Sequence, residues 1–230
     1  MKKKNFVDQD VYEKIMIAMK KVGITNAILS LARKMDMNLP RMFYEKLIQS
    51  KTKEDKDSLS KNLIGIYGNF LATYYYNGIG YKVENELPVC DEEGKVVTKA
   101  DLAFLDKDGN HNYCEVKMAP QIIDNIRNYY EDEKLENGNY EDKDNEIIKY
   151  KNIGKKLINQ VCKLKKTNKK VIVVVPEDCI IDNVIKNELL KQDVEIKRIA
   201  IKFKDLEMLT KKIIDDFIKE YNKKTHSKTK

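Results

Sequence analysis

Apolar residues recur at helical spacing through the early part of the chain. Val11, Ile15, Ala18 and Val22 share one stripe, and Ala27, Leu29, Leu31, Ala32 and Met35 continue it. Helices are therefore expected across residues 10–56, with a third one following Pro40. Lys51–Lys61 reads as a charged linker, and Leu63–Tyr76 predicts a helix that stops at Asn77-Gly78. The period then shortens. Tyr81–Val89 predicts a strand, Asp91-Glu92-Glu93-Gly94 a turn, and Ala100–Leu105 with Tyr113–Lys117 a hairpin turning at Asp108-Gly109. Further on, Tyr150, Ile153, Leu157, Val161 and Leu164 form the stripe of an amphipathic helix. The unbroken apolar run Val171–Val175 predicts a strand buried on both faces. A helix over Asp182–Lys191, a strand near Val194–Ala200 and a helix over Asp205–Tyr221 complete the series.

That order, a helical region followed by α-β-β-β-α-β and α-β-α, predicts an α/β fold with a mixed central sheet flanked by helices. The chain divides on this reading into an N-terminal helical region (1–60), a core (61–205) and a C-terminal helix with a basic tail (206–230). The run from Leu31 to Tyr44 faintly resembles a helix-turn-helix, but Asp36 holds the turn position and Pro40 falls inside the second helix. A packing or dimerisation bundle is the plainer reading.

Charge adds a second pattern. Lys and Arg number 44 against 37 Asp and Glu, a formal surplus of +7 that permits a polyanionic partner without requiring one. Acidic residues crowd residues 131–146, and lysines without any acid crowd residues 147–170. On the amphipathic helix, Lys156, Gln160 and Lys163 share an edge, and Lys155 lies beside it; this edge suits a phosphate backbone. The alternative is an ordinary solvated face. No apolar run approaches the ~18–20 residues of a membrane span. The basic start is followed by Asp8, Asp10 and Glu13 rather than an apolar stretch, so a secretory signal is not expected and a cytoplasmic location is. The four cysteines form no CxxC pair, which argues against structural zinc. With His111 and His226 the only histidines, chemistry must rest on carboxylates and lysines.

The hairpin concentrates such groups. Glu115 and Lys117, two apart on a strand, project to one face. Pairing about a loop midpoint at residue 108 places Asp101 opposite Glu115 on that same face. A loop centred one residue away would slip the register. Apolar neighbours (Ala100, Leu102, Ala103, Phe104, Leu105 and Val116) imply burial, where facing carboxylates need a compensating charge. A divalent cation supplies it, and Mg²⁺ accepts one or two carboxylates together with waters and phosphate oxygens. A lysine beside it suits the handling of a water and of developing phosphate charge. A plain Asp–Lys–Glu salt-bridge cluster is the competing explanation.

These residues carry a resemblance. From Gly68 to Val175, roughly half the chain, the sequence resembles the PD-(D/E)XK, or restriction-endonuclease-like, nuclease superfamily. The resemblance comprises Asn77-Gly78-Ile79-Gly80-Tyr81-Lys82-Val83, then Ala100-Asp101-Leu102-Ala103-Phe104, Cys114-Glu115-Val116-Lys117, the basic helix with Gln160, and the strand Val171–Val175. It implies a restriction-endonuclease-like sheet with an N-terminal helical extension. It also implies a metal-dependent endonuclease hydrolysing phosphodiester bonds, in DNA first and RNA as the alternative, leaving a 5′-phosphate. Asp101 and Glu115 would bind Mg²⁺ or Mn²⁺, the Val116 carbonyl would complete the ligands, Lys117 would position water, and Gln160 would support the site. Lys155, Lys156 and Lys163 would hold the nucleic acid, and a homodimer would suit cutting of both strands. The sequence departs from the family in having Ala100 before Asp101, and Asn69 where many relatives carry a helix Glu; Glu84 or Glu86 is the substitute ligand to look for. The alternative on the same fold is a non-catalytic module that binds nucleic acid or protein.

Overall fold

A computed structural model describes residues 9–49, 55–105, 109–123 and 153–227 of the 230-residue chain. It divides into two compact units, Met1–Tyr74 with Lys204–Lys230, and Tyr75–Phe203. The C-terminal helix thus shares a unit with the N-terminal helices, and so do residues 61–74, whereas the sequence reading had set three consecutive parts.

The first unit is helical. It holds α1 (Gln9–Lys21), α2 (Asn26–Lys34), α3 (Leu39–Gln49), most of α4 (Asp55–Gly78) and most of α7 (Phe203–Ser227). The predicted stripe is what these helices bury: Val11, Ile15 and Ala18 on α1, Leu29 and Ala32 on α2. Thr25 caps α2 by accepting the Ile28 N–H at 3.3 Å. Pro40 sits in the first turn of α3, where a missing N–H costs nothing. The expected linker is corrected: α4 begins at Asp55, because its polar residues, with no Pro or Gly among them, continue a helix as readily as a loop. Ser60 and Thr210 hydroxyls meet at 2.9 Å in the interior and tie α4 to α7.

The second unit is built on a five-stranded sheet of order β1-β2-β3-β5-β7. Its strands are β1 (Val83–Cys90), β2 (Val96–Leu105), β3 (His111–Val116), β5 (Lys170–Pro176) and β7 (Val194–Ile199). The first three pair antiparallel, and β3, β5 and β7 pair parallel, so the sheet is mixed as expected. A small parallel pair, β4 (Gln121–Ile122) with β6 (Ile180–Ile181), was not foreseen. Helices α5 (Ile153–Lys165) and α6 (Asn183–Lys191) lay Leu157, Val161, Leu164, Ile185 and Leu189 against Val171, Val173 and Val194 of the sheet. On the opposite face, Tyr76 from the last turns of α4 stacks on Phe104 at 4.5 Å between centroids.

Two glycines fix how these pieces enter the sheet. Helix α4 ends at Gly78, as Asn77-Gly78 predicted, and its left-handed capping residue is Gly80 two positions on. Gly80 has φ +94, its N–H bonds the Asn77 carbonyl at 3.0 Å, and the Tyr81 N–H bonds the Tyr76 carbonyl at 3.1 Å. That is a Schellman closure, with Tyr76 and Tyr81 supplying the accompanying ring contact at 6.3 Å. At the start of α5, a Cβ on Gly154 would stand 2.6 Å from the Ile123 carbonyl oxygen and 2.8 Å from Ile185 Cδ1. Only glycine allows that approach. Tyr150 and the acidic block 131–146 lie outside the described residues. Among the described residues, no single helix is long and apolar enough to cross a membrane.

Candidate active site

The hairpin pairs Leu102 with Cys114, Ala103 with Tyr113, and Phe104 with Asn112, the register that a midpoint at residue 108 requires. The next rung would join Asp101 to Glu115, and there the main-chain pairing stops. On its other side, β2 pairs Leu102 with Asn85 and Ala100 with Leu87, skipping Asp101 and Glu86. Glu86 has φ +54, a left-handed conformation unusual for a residue with a Cβ, and the pairing passes over it and Asp101 without a change of register; the shift in this pair lies at Val89/Cys90. Strand β2 is thus released on both sides at Asp101. The Asp101 carboxylate uses the opening: its Oδ2 accepts the Val116 N–H at 2.8 Å. Strand β3 leaves toward β5 instead, and the Lys117 N–H bonds the Val174 carbonyl at 2.8 Å.

Glu115 faces the α5–α6 side of the sheet, paired with Val173 and only 3% exposed. Lys117 Nζ donates to Glu115 Oε1 at 2.5 Å, and its side chain is 30% exposed, so it bridges the buried carboxylate to solvent. Glu115 Oε2 is buried with no hydrogen-bond partner. Burial pushes the Glu115 carboxyl up to about 7; the Asp101 charge adds to this, and Lys117 with the nearby Gln160 dipole opposes it. Burial also raises Asp101, against the pull of the Val116 N–H and Lys117. With both carboxylates ionised, Lys117 offsets one of two negative charges, and the remainder is a stability cost unless a cation joins them.

Gln160 reaches this corner from α5. Its Nε2 donates to the Lys99 carbonyl at 2.7 Å, and its Oε1 accepts from the Thr98 hydroxyl at 3.1 Å. The amide is fully oriented by β2, immediately before Asp101. Thr98 was not singled out from the sequence, and no local signal points to it, since its partner lies 62 residues away. Lys155, Lys156 and Lys163 are exposed on α5.

Asp101, Glu115, Val116, Lys117 and Gln160 therefore converge within the second unit. A third carboxylate does not. Among the described residues, no group of three or more His, Cys, Asp or Glu side chains is placed to hold a metal. Glu84 and Glu86 are exposed on β1 and form no such group with Asp101 and Glu115; Asn69 lies in the helical unit.

No family model and no curated protein matches this chain. A solved structure, a repair endonuclease from Pyrococcus abyssi, is 18% identical, with 66% of this chain and 49% of that chain covered and a TM-score of 0.30. The chain thus spans about half the length of that protein. A likeness this slight carries no argument about activity, which has to rest on the site.

Proposed function

We propose that this protein is a metal-dependent nuclease that hydrolyses phosphodiester bonds in DNA, using Asp101, Glu115 and Lys117. The observation that carries the reading is the buried Glu115 Oε2, without a partner, beside a second, half-buried carboxylate. A salt-bridge cluster would pair its oxygens; this one leaves a site of negative charge where water does not reach. That donor set fits Mg²⁺ or Mn²⁺, hard cations content with one or two carboxylates and with waters and phosphate oxygens for the rest. Asp101 and Glu115 would hold the ion, and the Val116 carbonyl would complete the protein ligands. When bound, the cation supplies Lewis-acid neutralisation of phosphate charge and a more acidic water.

The chain's own groups divide the remaining work. Lys117, fixed at one end by the β3–β5 bond of its N–H, presents its ammonium between Glu115 and solvent. There it can hold the attacking water by hydrogen bond and offset charge as the water oxygen bonds to phosphorus. The phosphorus–O3′ bond breaks, the water proton passes to solvent or to the leaving oxygen, and a 5′-phosphate and a 3′-hydroxyl result. Gln160, locked by Thr98 and the Lys99 carbonyl, braces β2 where Asp101 is released. Because Gln160 lies on α5, Lys156 and Lys163 on the same edge flank the site and can track successive phosphates.

Incubating the protein with linear, circular, branched and single-stranded DNA and with RNA, with Mg²⁺, Mn²⁺ or EDTA, tests this reading. Metal-dependent cleavage lost in Asp101→Ala and Lys117→Ala is expected. Cleavage that survives both substitutions would remove the site assignment, and absence of cleavage on every substrate would favour a binding module.

A further inference from the structure

The sheet's two faces differ in kind. Across β3, β5 and β7, the face toward α5 and α6 shows Tyr113, Val171, Val173, Val194 and Ile196. The opposite face presents Asn112 beside Lys170 by register, and Glu195 and Lys197 beside Ile172 and Val174. Lys170 opens β5, and Glu195 and Lys197 lie on the edge strand β7, so these charged groups reach water while Asn112 stays buried. Here they floor a cavity of about 260 Å³, and Tyr75, Tyr76, Tyr81 and Phe104 wall it. All these residues belong to the second unit, and the cavity lies across the sheet from Glu115.

The cavity is ordered from inside to outside. Asn112, 3% exposed, is a buried amide with donor and acceptor capacity; its Nδ2 donates to the Asn110 carbonyl at 3.1 Å. The aromatic wall is rigid, since Tyr81 and Tyr76 pack on Phe104 at 4.7 and 4.5 Å. At the mouth, Lys170 pairs with Glu195 at 2.7 Å, both side chains about half exposed, and Lys197 Nζ stands 5.0 Å from the Tyr75 ring centroid. Lys170 is matched by Glu195 and also feels Asp193, so the positive character of the rim rests on Lys197. A hydrogen-bonding amide, then flat rings, then a cationic rim is complementary to a planar heterocycle carrying an anionic tail.

We propose that this cavity binds a nucleoside monophosphate unit, base toward Asn112 and the Tyr wall, phosphate toward Lys197 and Lys170. The unit is either a free mononucleotide or the terminal nucleotide of a strand. The inference does not depend on the nuclease reading, because the two sites share no residue and lie on opposite sheet faces.

Calorimetric titration of the full chain in EDTA, which silences metal-dependent cleavage, provides the test. The probes are the four 5′-mononucleotides, their nucleosides, inorganic phosphate and benzoate. Saturable binding of at least one mononucleotide is expected. Lys197→Ala should weaken it about tenfold while leaving the nucleoside unchanged. Tyr75→Leu, which keeps apolar bulk, should weaken nucleotide and nucleoside alike by about tenfold. Thermal melts matching the unsubstituted protein would establish that both variants fold. Competition by a short 5′-phosphorylated oligonucleotide would assign the unit to a strand end, and mononucleotide binding without such competition to a free ligand. The proposal is overturned if no mononucleotide binds saturably, if both folded variants bind with unchanged affinity, or if phosphate or benzoate binds as tightly as the nucleotides.

Discussion

Val173 and Glu115 are partners on adjacent parallel strands, and both are shut away from water, Val173 fully and Glu115 all but 3%. Their surroundings are nonetheless opposite. Around Val173 the ladder is continuous on both sides, to β3 and to β7, and apart from Glu115 itself the neighbouring groups on that face are apolar. Around Glu115 the ladder fails at Asp101 on both flanks of β2, a second carboxylate intrudes, and a carboxylate oxygen goes without a partner. Where backbone pairing and burial agree, the residues stabilise the fold. Where they conflict at equal depth, stability has been given up for something else, as expected of a working site.

That contrast can be broken from either side. The largest effect should come from Lys117→Met, which keeps the side chain's length and removes its charge. Cleavage should fall roughly 10²–10³-fold with folding intact, as when one transition-state donor is lost; cleavage rates together with circular dichroism would show it. On the Val173 side, Val173→Ala removes two buried methyl groups and should cost about 2 kcal/mol of unfolding free energy without touching any charge. Denaturant titration reads this directly.

Glu115→Gln should do the reverse and stabilise the metal-free protein at alkaline pH by about 1–3 kcal/mol, the scale of an unsatisfied buried polar group. The pH dependence follows from its carboxyl being raised to about 7 from 4.5. Between those values the folded state holds a proton that the unfolded state has released. The unsubstituted protein should therefore lose stability as pH rises from about 4.5 through about 7, and Glu115→Gln should lose less. Mg²⁺ should restore the melting temperature of the unsubstituted protein above that range, and should leave Glu115→Gln unmoved. Identical pH profiles for the two proteins in EDTA would deny that Glu115 is the uncompensated charge. The smallest effect belongs to Thr98→Ala, which takes one partner from the Gln160 amide and should cost about 0.5–1.5 kcal/mol. A drop in cleavage beyond that loss would show the amide's orientation acting on Asp101.

Much of this was visible in the sequence. The turn signal Asp108-Gly109, taken as the midpoint of two matched runs, was enough to set the hairpin register, because a turn in that place leaves few pairings. The run Val171–Val175 predicted a strand covered on both faces because no polar residue interrupts it. The site's composition followed from the same register. What stayed hidden depends on contacts between distant residues or on single dihedral angles. Glu86 is an ordinary strand residue by letter, and only its φ marks the skipped pair beside Asp101. Asn77-Gly78 marked the end of α4 correctly, but that Gly80 supplies the left-handed cap shows only in its hydrogen bonds. Thr98 gained meaning from Gln160, far along the chain. The missing third carboxylate was read from Asn69, but that Glu84 and Glu86 do not replace it required the structure.

Gly154 carries a consequence for the placement of α5. Because it has no side chain, the first turn of that helix presses against the Ile123 carbonyl and against Ile185 of α6. A single added methyl group would have to push backbone aside, so the helix that carries Gln160 is seated at one end by main-chain contact alone. The alignment of the Gln160 amide on β2 thus begins with an absent side chain six residues earlier.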